Sequence, residues 1–142
     1  MIAHVDLRAV CDICATEIRD NKGAVWIDVQ EVQAIEREHV AWESRHVDDD
    51  GTVSFEIFSP DSPPGNALWR VNHDSCFEIP ELAYHIPVER LRSWPAYLHW
   101  TAHLMEKTWL PYTNWTALVM STLEGSGQRS GLVPLEKPSG DW

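Results

Sequence analysis

Four side chains in this sequence have the types and spacing to hold a metal ion: Cys11 and Cys14 as Cys-x2-Cys, then His73 and Cys76 as His-x2-Cys. They include all three cysteines of the chain. Zinc takes four soft or borderline donors at tetrahedral corners, and Cys3His is one of its usual closed sets. A two-residue spacer lets both donors of a pair face one point, and the metal then supplies the long-range closure. The competing account is three unrelated thiols and a core histidine that share this spacing by coincidence. Iron–sulfur clusters fit less well, since four thiolates are their norm. The expectation is one zinc ion per chain on Cys11, Cys14, His73 and Cys76.

Other chemistry is thinner. His99 and His103 lie four apart, so on a helix both imidazoles share a face, with Glu106 nearby. A zinc protease of the His-Glu-x-x-His kind needs glutamate where this chain has Trp100. A zinc deaminase needs His-x-Glu ahead of Pro-Cys-x-x-Cys, which is absent. Cys76 with His73 could serve as nucleophile and base, but zinc ligation explains that pair and also uses Cys11 and Cys14. Neither a glycine-rich phosphate loop nor a Gly-x-Ser-x-Gly elbow occurs. A metal-dependent hydrolase is therefore the weakest reading. The expectation is a non-enzyme with no catalytic residues.

Composition narrows the partners. The 142 residues suit one domain with a modest core, and a hydrophobic fraction of 44% speaks against disorder of the whole chain. A formal net charge of -11 repels phosphate backbones, so general nucleic-acid binding is disfavoured. Three zinc-bound thiolates would take the total to about -12. Met1–Val10 carries His4, Asp6 and Arg8 and is not expected to be a leader sequence, no stretch is apolar enough to span a bilayer, and free thiols suit a reducing compartment; a cytoplasmic protein is expected.

The elements that must position the ligands read as follows. A zinc knuckle at Cys11–Cys14 leads into a hairpin turned at Lys22-Gly23, with Ala24–Val29 as a strand. Val32, Ile35, His39 and Trp42 mark one face of a helix from Gln30 to Arg45, ended by an acidic turn at Asp48–Asp50. Thr52–Phe58 alternates as a strand, Ser59–Asn66 is a loop of helix breakers, and Ala67–Asn72 is a strand delivering His73. Pro87 opens a short helix over Val88–Arg92. Ser93 caps a longer helix that Pro111 should stop at Leu110, with Leu98, Ala102, Met105 and Trp109 as its apolar stripe, flanked by Tyr97 and Leu104. Thr113-Asn114 caps a last helix, Trp115–Leu123. The fold class is α+β: a small zinc-bound strand layer, an insert helix and a C-terminal helical segment. One domain is expected over residues 1–123, with 15–72 as a folded insert between the ligand pairs, and a flexible tail over 124–142.

Trp69 with His73-Asp74-Ser75-Cys76-Phe77 resembles the second half of the first zinc site of LIM domains, and Cys11-x2-Cys14 resembles its first half. The long interval and the missing second set of cysteines limit the likeness to a LIM-like or treble-clef-like finger. The knuckle with Val25–Asp28, the Trp69–Cys76 segment, Ile86–Arg90, Trp100–Lys107, Trp109-Leu110 and Trp115 resemble uncharacterised small zinc-finger-like proteins of actinobacteria and their phages. That resemblance implies no activity. The expected role is a protein-interaction module, possessing a partner surface at Trp100, which the helical wheel leaves exposed, with His99, His103 and Lys107 beside it. The competing roles are a regulatory nucleic-acid finger and an acidic mimic of DNA.

Overall fold

The computed structural model describes residues 5–19, 21–45, 64–124 and 129–135. Its centre is a three-stranded antiparallel sheet in the order β3-β2-β4, made by β2 (Gly23–Asp28), β3 (Arg70–His73) and β4 (Ala83–Pro87). Val25 pairs with both Val71 and Ile86, and these three with Ile27 form a fully buried inward face. On the other face Trp26 is also buried, because Phe77 stacks on it at 5.6 Å and the Arg70 guanidinium lies 5.9 Å over its ring. The central strand is thus covered on both sides, as its unbroken run of β-formers requires.

Helix α1 (Val29–Arg45) follows β2 directly, its first turn secured by Gln30 N donating to Asp28 Oδ1 at 2.9 Å. Val32 and Trp42 are buried and Ile35 and His39 half-buried, which is the face the periodicity marks. The chain re-enters the described structure at Pro64; Ala67 then bridges to Thr113, and β3 leads to the second ligand pair. The expected strand Thr52–Phe58, the acidic turn Asp48–Asp50 and residues 59–63 of the loop lie outside the described residues.

The helical half differs from expectation in its phase. Ser93 caps α2 (Trp94–Met105), its hydroxyl accepting from Ala96 N, and Pro95 sits in the first turn as expected. The helix stops at Met105, not Leu110, and Pro111 lies inside a separate 3-10 turn, Leu110–Tyr112. Pro87 likewise closes β4 and precedes a 3-10 turn at Val88–Leu91. The buried stripe of α2 is Tyr97 and Leu104, with Trp94 and Trp100 packed against the core. Leu98 and Met105 are each 71% exposed. The inward face is therefore rotated by about a quarter of a turn from the expected one, since three aromatic rings outweigh Leu98, Ala102 and Met105 in the area they bury. Helix α3 (Trp115–Glu124) buries Trp115 and Thr122.

Two further expectations are corrected. The knuckle does not form a hairpin with β2; its antiparallel bridge is Val10 to Glu17, and among the described residues β2 pairs only with β3 and β4. Nor is the C-terminal stretch wholly a free tail. Gly131–Pro134 is a strand, β5, paired antiparallel with β1 (Leu7–Val10) in a second sheet, and Leu132 is buried.

Candidate metal centre

Both ligand pairs sit where a strand gives way to a turn. Cys11 directly follows β1, and its turn is closed by Ala15 N donating to Cys11 O (3.0 Å) and Cys11 N donating to Thr16 O (2.9 Å). Ala15 leaves that turn at φ 59, a left-handed conformation that costs a residue with a Cβ about 1 kcal/mol. His73 is the last residue of β3, and Cys76 N donates to His73 O at 3.1 Å to fold the second turn.

Asp12, inside the first spacer, ties the first turn to β3, the strand that delivers His73. Its N–H donates to Val71 O, and its Oδ2 accepts from Val71 N, both at 2.7 Å. The second turn is held from within by Asn72, which is 1% exposed. Asn72 Oδ1 accepts from Trp26 Nε1 at 2.6 Å, and Nδ2 donates to His73 O at 2.8 Å. Gly23, paired with His73, fits because it lacks a side chain: a Cβ there would stand 2.6 Å from Asn72 O.

These supports bring one donor atom from each of Cys11, Cys14, His73 and Cys76 within 4.8 Å of every other. His73 Nδ1 lies 3.4 Å from Cys14 Sγ and 3.7 Å from Cys76 Sγ. Tetrahedral donors at zinc-like bond lengths are about 3.5–3.8 Å apart, so the set fits a metal ion at its centre. The other ring nitrogen, Nε2, lies 3.2 Å from Glu17 O. A carbonyl can only accept, so the proton is on Nε2 and the Nδ1 lone pair faces the sulfurs.

The thiols differ electrostatically. Burial works against ionisation of Cys11, but the backbone around Cys14, His73 and Ile13 outweighs it and holds the thiol below its ordinary value. Two of those interactions are N–H donors seen directly, from Ile13 at 3.4 Å and His73 at 3.5 Å. Cys14 is lowered mainly by the Thr16 hydroxyl, 3.0 Å from its sulfur. Cys76 is pushed up to about 11, first by burial and then by the neighbouring sulfurs of Cys14 and Cys11. Three thiolates in one small volume repel, and a divalent cation among them reverses that sign.

The convergence of the four residues was legible from spacing; their supports were not. Thr16, the Glu17 carbonyl, Asp12 and Asn72 carry no motif, although short polar residues flanking a ligand are the type that orients it. The residues expected to form a partner surface lie apart from this cluster, on α2 and the turn after it. His99 and His103 are exposed and flank the Trp100 ring edge-on, at 6.4 and 5.4 Å. Trp100 is not the exposed side chain expected; it is half-buried against the core. Lys107 is half-buried too, its Nζ 5.9 Å from the Tyr84 ring.

Fold and site together define a mixed α+β domain with a four-residue Cys3His group placed to hold a metal ion. No protein family, curated protein or solved structure matches the chain, so of the resemblances drawn from sequence it is this cluster that the structure carries.

Proposed function

We propose that the cluster binds one zinc ion as a closed structural site, of the LIM-like or treble-clef-like kind, and that the domain it holds is a non-enzymatic module that binds another protein. The carrying observation is the completeness of the donor set: four protein donors converge, and the second nitrogen of His73 is committed to Glu17 O. A zinc ion so held keeps no position for water or substrate, which is what separates structural from catalytic sites. The donors also favour zinc over calcium or magnesium, which take oxygen.

Apolar side chains in water support the binding role. Ile13 and Phe77 flank the metal turns and are about half exposed, and Leu98 and Met105 stand out from α2. The acidic charge weighs against nucleic acid as the partner. Elemental analysis of the purified chain should give about one zinc per molecule, absent in Cys76→Ser. Proteins captured on the zinc-loaded chain should survive nuclease treatment. Metal-free protein would sink the first half of the proposal, and loss of every partner with nuclease the second.

A further inference from the structure

Beside the metal centre, on the outer face of the three-stranded sheet, lies a cleft of about 480 Å3, a volume usual for ligand pockets of ~300–1,000 Å3. Ala24, Ile79 and Pro87 supply apolar wall, and Asp74, Glu81 and Glu89 supply carboxylates. No lysine or arginine is among its lining residues, and among the described residues none of the three carboxylates has an ion-pair partner. The Arg92 guanidinium, which reaches the rim at Asn21, is engaged by Asn21 Oδ1 at 3.1 Å and Ile18 O at 3.4 Å.

The spacing of the carboxylates selects the kind of cation. Among the described residues the Cys3His group is the one set of three or more donors close enough to share a metal ion. Asp74, Glu81 and Glu89 therefore surround the cleft without meeting at a point. A bare dication needs convergent oxygens; a guanidinium or ammonium, with several donors on an alkyl stem, does not.

We propose that this cleft receives a lysine or arginine side chain of the partner protein, its stem against Ala24, Ile79 and Pro87 and its charged head among Asp74, Glu81 and Glu89. Such side chains are apolar along the stem and charged at the tip, as the cleft is apolar within and acidic around. The chain's net charge of -11 steers a basic surface toward it. The inference rests on the protein-binding role proposed above and adds the chemistry of the partner.

The test titrates the zinc-loaded, full-length chain, followed by amide NMR, with acetyl-Gly-Arg-Gly-Lys-Gly-amide, with its glutamine counterpart and with spermidine. The expected result is saturable shifts at Gly23, Ala24, His85 and Glu89 with the basic peptide alone. In the Glu81→Gln/Glu89→Gln variant affinity falls about tenfold while zinc content is unchanged. Shifts scattered over the acidic surface, or equal affinity in the variant, overturn the proposal. So does spermidine saturating the same amides as tightly as the peptide. Partner capture equal for wild type and variant sinks the cleft and leaves the binding module standing; failure of the zinc-loaded chain to capture any protein sinks the module.

Discussion

Replacing Cys76 with serine removes one metal donor and almost no volume, so its effect on stability measures the metal. The pairs it joins are separated by the 58 residues from Ala15 to Asn72. Treating the filled site as a cross-link, the closure of a loop of that length gives about 4 kcal/mol at 25 °C. For a domain of this size that lowers Tm by roughly 15 °C. The value is well below the ~10–16 kcal/mol of zinc-finger peptides, which have no fold without metal. Here Val25, Ile27, Val71 and Ile86 are buried in an apolar core, which is expected to persist without the ion. Calorimetry should show Cys76→Ser and chelator-treated wild type melting together, about 15 °C below the zinc-loaded chain, with the variant indifferent to chelator. If all three melt within a couple of degrees, no metal cross-link closes this loop.

Burial pushes the Tyr97 phenol up to about 12. A folded value above the ordinary one means stability that is fully present below pH 10 and lost as pH rises through 12, about 2–3 kcal/mol in all. Tyr97→Phe should flatten that alkaline loss in urea titrations while costing less than ~1 kcal/mol at neutral pH, since its hydroxyl contact with Thr122 is long at 3.4 Å. Gly23→Ala drives a Cβ into the Asn72 carbonyl and Ile18 and should cost about 1–3 kcal/mol. Because that carbonyl precedes His73, the variant should also surrender zinc to a competing chelator sooner than wild type. Leu98→Ala should change stability by less than ~0.5 kcal/mol and Leu104→Ala by about 2–5 kcal/mol, and chemical denaturation that reversed this order would refute the observed phase of α2.

What the sequence disclosed follows how local each signal is. The Cys3His cluster was legible because three cysteines in two short motifs have few other uses, and α1 because its inward face recurs over about three turns. The phase of α2 was not. Leu98, Ala102 and Met105 make as regular a stripe as Tyr97, Trp100 and Leu104, and only packing against Trp115 decides between them. Trp115 Nε1 donates to Thr101 Oγ1 at 3.1 Å, and the Trp115 ring lies 5.6 Å from that of Tyr97, which fixes the inward side. Strand β5 was invisible for a different reason. Gly131-Leu132-Val133-Pro134 is too short and too close to glycine and proline to read as a strand without its distant partner.

That partner has a consequence for the order in which the molecule assembles. Translation proceeds from the N-terminus, and Val10 is made 121 residues before Gly131, which it pairs with. At ~5–20 residues per second, β1 waits roughly 6–24 s on the ribosome with its hydrogen-bonding edge unfilled. His73 and Cys76 arrive about midway through that interval. A metal ion held by the Cys3His group, as proposed, would capture β1 and seat it near the sheet before its strand partner exists, shortening the time an apolar edge is left open to other chains. In that role the proposed zinc ion would serve the early chain as well as the finished fold.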